Sequence, residues 1–128
     1  MKYLKTYTRY EIVPEKTKLF ESNDNFLLDC QDIFLELKDN GFDVQFNTSI
    51  PFCFEVNINC PKQLLYYYTF EEILETMLRL NDFLKLNNKK AIVYEGEYRL
   101  SIGPLSHVIK NYRGEYKLTK LTIVIFIK

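Results

Sequence analysis

Residues 121–127 read Leu121-Thr122-Ile123-Val124-Ile125-Phe126-Ile127, a run that is apolar on both faces except at Thr122. Successive side chains of a strand point to opposite sides, so Leu121, Ile123, Ile125 and Ile127 share one face while Val124 and Phe126 share the other. Such a strand belongs in the middle of a sheet. At an edge its unpaired backbone groups would recruit another chain, and Lys120 and Lys128 guard only its ends. The expectation is a central strand, hydrogen-bonded on both sides either within the monomer or across a dimer.

Upstream, the closing strand reaches back to Tyr116, so that it spans 116–127 and begins just after Gly114, which stops a short helix. That helix follows Gly103-Pro104: Leu105, Val108, Ile109 and Tyr112 fall at helical spacing, with Pro104 at a permitted first-turn position. Ala91 to Tyr94 and Tyr98 to Ile102 read as strands, either one interrupted strand or a hairpin about Glu95-Gly96-Glu97. Before them, Thr69-Phe70-Glu71-Glu72 has capping-box spacing and starts a helix over 70–86, with the stripe Phe70, Ile73, Leu74, Met77, Leu80 and Leu84. Glu75 and Arg79 stand four apart on its wet side, a favourable pairing distance.

A period of two governs residues 42–58. Phe42, Val44 and Phe46 alternate with polar residues, and after a turn near Ser49-Ile50-Pro51 so do Phe52, Phe54, Val56 and Ile58. This is a β-hairpin with one apolar face. An earlier helix over 24–39 carries Phe26, Cys30, Ile33, Phe34 and Leu37 on one stripe, and Asn40-Gly41 ends it because glycine takes the left-handed conformation there without a Cβ clash. Residues 1–20 form an edge strand or a loosely attached arm.

The whole is an α+β fold: two main helices on one face of a mostly antiparallel sheet, in a split βαβ or ferredoxin-like arrangement with a C-terminal central strand. Its expected core joins Phe26, Ile33, Leu37, Phe70, Ile73, Leu74, Met77 and Leu80 to Val44, Phe54, Val56, Ile123 and Ile125. Length and composition fit a single α+β domain over residues 1–128, nearly half apolar and about a quarter charged. Formal net charge is zero, with basic ends and an acidic middle, which argues against strong nonspecific attraction to nucleic acid or anionic lipid. No membrane span or signal-peptide core is legible, so a cytoplasmic location is expected. Cys30, Cys53 and Cys60 have no CxxC spacing and read as reduced thiols, and Asn47-Thr48-Ser49 is a chance sequon. The abundance of Tyr, Phe, Asn, Lys and Ile matches an AT-rich genome.

Few residues bear on function. Asp29, Asp32, Glu36 and Asp39 line one helix face, which reads as a solvated surface before it reads as a cation or basic-partner site. His107 is the single histidine, and neighbouring Ser106 would point about 100° away from it on a helix, so no catalytic pair forms. Tyr66, Tyr67 and Tyr68 are the densest aromatic cluster and the candidate protein-interaction residues. Lys110, Tyr112, Arg113, Tyr116, Lys117 and Lys120 interleave basic and aromatic side chains, the combination that binds phosphates while stacking bases. No phosphate-loop, dinucleotide-binding, metalloprotease or paired-Cys metal motif occurs in the chain. No catalytic residue, metal or cofactor is therefore expected.

Residues 32–46, DIFLELKDNGFDVQF, and 70–85, FEEILETMLRLNDFLK, after the short start MKYLKTYTRYE, resemble a loose group of small uncharacterised proteins of tailed bacteriophages and viral metagenomes. The resemblance covers about a third of the chain. It implies a phage accessory or virion-associated protein, in the host cytoplasm or on the particle, that is noncatalytic and binds a host or viral protein or itself. The alternative is a small nucleic-acid-binding module using Lys110 to Lys120.

Overall fold

The computed structural model describes residues 25–60, 67–111 and 117–127. The expected arm at residues 1–20, together with Tyr66, Tyr112, Arg113, Gly114 and Tyr116, lies outside them. The chain divides into two compact units, residues 1–32 and 33–128. In the first, the described residues are helical, and Phe26 and Cys30 are buried.

Helical residues 25–33 (α1) are separated from α2 (Leu35–Asp39) by a single turn residue, Phe34. The helix expected over 24–39 is thus present with one interruption. Its buried residues are Phe26, Cys30, Phe34 and Leu37, while Ile33 is only half-buried, because a stripe stepping by four, four and three passes through Phe34 instead. The exit is a Schellman motif. Gly41 has φ 93°, and the amides of Gly41 and Phe42 donate to the carbonyls of Lys38 and Leu37 at 3.0 Å.

β1 (Asp43–Asn47) and β2 (Cys53–Asn59) form the expected hairpin, with Val44 opposite Ile58 and Phe46 opposite Val56. Asn47 Oδ1 accepts from the backbone N–H and the hydroxyl of Ser49, and fixes the start of the turn. A two-residue strand, β3 (Tyr68–Thr69), then leads directly into α3 (Phe70–Leu86). At the head of α3 the Glu72 carboxylate accepts from both the backbone N–H (2.8 Å) and the hydroxyl (3.2 Å) of Thr69. The helix buries Phe70, Ile73, Thr76, Met77, Leu80 and Leu84, with Leu74 half-buried at the margin. Arg79 does not take up the expected pairing with Glu75. It bonds Glu36 on α2 at 2.8 Å, a carboxylate that tertiary packing delivers to it.

β4 (Lys90–Glu95) and β5 (Leu100–Pro104) form a hairpin, the second of the two possibilities open in the sequence. Tyr98, expected inside the second strand, lies in the turn. A short helix, α4 (Leu105–Asn111), follows as expected, and β6 (Lys117–Leu118) pairs with β3 before the chain enters β7 (Lys120–Phe126).

The five-stranded sheet has the order β1-β2-β7-β4-β5, and every neighbouring pair is antiparallel. β7 is its central strand, bonded on one side to β2 and on the other to β4, so its pairing is internal to the chain. Since β2 and β4 both run opposite to β7, they are parallel to each other, and β2-α3-β4 is a split βαβ unit with β7 between its strands. β5-α4-β7 is a second, with β4 between. The fold is therefore α+β of the expected split βαβ, ferredoxin-like kind. Val44, Phe54, Val56, Ile58, Leu121, Ile123, Ile125 and Val93 make up the apolar face beneath the helices, all of them buried. No helix of the described residues is long and apolar enough to cross a membrane.

Candidate binding hairpin

The sheet's second face is polar where the first is apolar. Along β2 it carries Cys53, Glu55, Asn57 and Asn59, along β7 Lys120, Thr122, Val124 and Phe126, and along β4 Ile92 and Tyr94, as the register dictates. Asn57, Thr122 and Tyr94 form one cross-strand row, and the Thr122 hydroxyl donates to Asn57 Oδ1 at 2.7 Å. Glu55, Val124 and Ile92 form the next. Glu55 is 8% exposed. A carboxylate so far withdrawn from water requires a partner.

Arg99 is that partner. It stands in the β4–β5 turn, and its guanidinium reaches across β7 to bind Glu55 in bidentate fashion, Nη1 to Oε1 at 3.1 Å and Nη2 to Oε2 at 2.8 Å. Its Cζ lies 5.5 Å from the centre of the Tyr94 ring. The hydrogen bonds that Arg99 donates to Glu55 raise its pKa above the ordinary value. Two parallel N–H donors on two carboxylate oxygens fix the guanidinium in plane as well as in position.

The turn itself is held at several points. Gly96 has φ 78° and Arg99 φ 53°, the left-handed region, which is rare for a residue with a side chain. Arg99 N–H donates to the Gly96 carbonyl at 3.2 Å, and Gly96 N–H donates to the Lys120 carbonyl on β7 at 2.9 Å. The ion pair and the β7 contact hold a backbone that would otherwise relax. On this turn Tyr98 is 98% exposed and Leu100 68% exposed, with Glu97 beside them on the surface.

The residues singled out in the sequence are placed differently. Tyr68 is fully buried: its hydroxyl donates to the Ile58 carbonyl at 2.7 Å and its ring meets Phe42 edge-on at 5.3 Å, so it is withdrawn from any partner. Tyr67 is exposed, and the Lys117 ammonium sits 4.6 Å from its ring centre. Of the basic-aromatic stretch, Lys110 and Lys117 are exposed and Lys120 is half-buried. His107 and Ser106 are exposed on α4. Asp29, Asp32, Glu36 and Asp39 are all exposed, and among the described residues no group of three or more His, Cys, Asp or Glu side chains could hold a metal ion.

Sequence reasoning missed Arg99 and Glu55. They stand 44 residues apart, and only the strand register brings them together. One signal was available: Glu55 alternates onto the second face of a strand that pairs with the two-faced β7, where a carboxylate cannot remain well hydrated. Comparison with family models, with curated proteins and with solved structures gave no match.

Proposed function

We propose that this chain is a noncatalytic binding protein, an accessory or virion-associated component of a bacteriophage, and that the β4–β5 hairpin is the surface it presents to a protein partner. The observation that carries the reading is a fully exposed tyrosine on a turn held by an ion pair. An aromatic side chain with only two side-chain torsions provides a large contact area at low entropic cost, and prior ordering of its backbone lowers that cost further. Tyr98 meets both conditions. The clamp beneath it holds the turn in place, because Arg99 engages both oxygens of Glu55. The phage origin rests on the resemblance of residues 32–46 and 70–85.

A photo-crosslinking amino acid placed at position 98 tests the proposal, with the same group at exposed Glu71 on α3 as the control. Irradiation in host lysate, or of the concentrated protein, is expected to give discrete protein adducts from position 98 and few from position 71. Equal yields from the two positions would refute the assignment of the hairpin as the binding surface.

A further inference from the structure

We infer that the hairpin's partner is a second copy of this chain, docked antiparallel along the β5 edge so that each hairpin tip enters a basic pocket of the other. The inference rests on the reading of the hairpin as a binding surface and adds the identity of what it binds.

The pocket lies at the opposite end of the β4–β5 hairpin from the tip. It measures about 730 Å³ and is formed where the end of α3, the start of β4, the end of β5 and the start of α4 meet. Its lining includes the apolar residues Leu84, Ile92, Leu105 and Phe126 and the basic residues Lys85, Lys89 and Lys90. Lys89 is tied to the Ile127 carbonyl at 3.0 Å, whereas Lys85 and Lys90 are exposed. A cavity lined by apolar and cationic residues suits a ligand with an apolar body and a negative charge.

The hairpin tip has that composition. Tyr98 and Leu100 provide apolar surface, Glu97 is exposed, and Glu95 precedes the turn. The one cation of the tip, Arg99, is already matched by Glu55, which leaves the tip net acidic. Tip and pocket stand at opposite ends of a six-residue strand, about 17 Å apart at the usual rise, so a chain cannot place its tip in its own pocket.

Two copies can. Among the described residues β5 is an edge of the sheet, and Leu100, Ser101 and Pro104 along it are exposed. When two such edges run antiparallel, the start of each β5 lies beside the end of the other. Tyr98 to Leu100 of one copy then face Pro104 to Ser106 of its partner, residues that line the pocket. The arrangement is two-fold, closes on itself, satisfies both tips at once and covers a strand that is an edge among the described residues.

Charge reversal provides the test. Glu95→Lys with Glu97→Lys places a cationic tip opposite a cationic pocket, and Lys85→Glu with Lys90→Glu places an acidic tip opposite an acidic pocket, so each variant alone should sediment as a monomer under conditions where the wild type is a dimer. Mixed, they restore attraction at both contacts, and a heterodimer should form whose stability falls as salt is raised. Lys85, Lys90 and Glu97 are exposed and Glu95 is half-buried, and near-ultraviolet circular dichroism would verify that the folds are unchanged. A wild-type chain still monomeric at about 100 μM, variants that dimerise alone as the wild type does, or a mixture that stays monomeric would each overturn the inference. Should the chain be monomeric while position 98 still crosslinks to another protein, self-recognition fails and the hairpin's binding role stands.

Discussion

Cys30 shows how far a single side chain can depart from its ordinary chemistry. The residue is fully buried, and burial, helped by the neighbouring Asp29 carboxylate, pushes its thiol pKa from 9.0 up to about 12. Below pH 9 the thiol is protonated in folded and unfolded chains alike, and its contribution to stability is fully present. As pH rises from 9 toward 12, the unfolded chain releases the proton while the folded chain retains it, so that contribution is lost. Urea midpoints between pH 9 and 11 should therefore fall more steeply for the wild type than for Cys30→Val. Parallel curves would mean that the thiol is not desolvated. Reactivity follows the same logic, since the thiolate is the nucleophile: at pH 8 the half-buried Cys53 and Cys60 should be alkylated well before Cys30.

At the scale of elements, α3 shows which contacts carry stability and which only appear to. Ile73 is fully buried on the face turned to the sheet. Ile73→Ala should cost about 2–5 kcal/mol, the transfer free energy of the lost methyl groups plus the cavity they leave. Arg79, on the opposite side, makes a 2.8 Å ion pair with Glu36, but both side chains are about half exposed. Solvent screening limits such a pair to about 1 kcal/mol or less, so Arg79→Ala should barely move the denaturant midpoint. A large loss from Arg79→Ala together with a small one from Ile73→Ala would invert the two faces assigned to the helix. The end of α3 repeats the exit used by α2: Asn88, with φ 55°, takes the position that Gly41 occupies there, and Lys89 N–H closes on the Leu84 carbonyl at 2.8 Å. Asparagine tolerates this conformation better than other residues with side chains, which is why a second glycine is not required.

For the molecule as a whole, the position of β7 sets the order of opening. Its amides and carbonyls are used on both sides by β2 and β4, and Leu121, Ile123 and Ile125 lie beneath the helices. Releasing them requires the sheet itself to come apart. Hydrogen exchange should place Ile123 to Ile125 among the slowest amides, with protection independent of protein concentration because the pairing is internal. The amides of β5 behave differently, since this strand has a described neighbour on one side only. If two copies join there, β5 protection should rise with concentration while that of β7 stays fixed. Rapid exchange of Ile123 to Ile125 at every concentration would contradict the strand order.

The sequence alone determined the main helices, the 42–58 hairpin and the central strand, with most of the faces they bury. Period-two alternation in 42–58, the Thr69 start of α3, the glycine exit at Gly41 and the two-faced run at 121–127 are local patterns, and each was legible because its physics acts between residues a few positions apart. Local pattern could not say whether Arg79 would choose Glu75 or Glu36, that Tyr68 would enter the core while Tyr67 stayed exposed, or that residues 91–102 would turn back as a hairpin. Each depends on what the fold brings alongside. Tertiary structure alone decided the hairpin clamp: Arg99 meets Glu55 only because β4 and β2 flank β7 in register. Electrostatic pairing acts through space over a few ångströms, and nothing in the spacing along the chain records it.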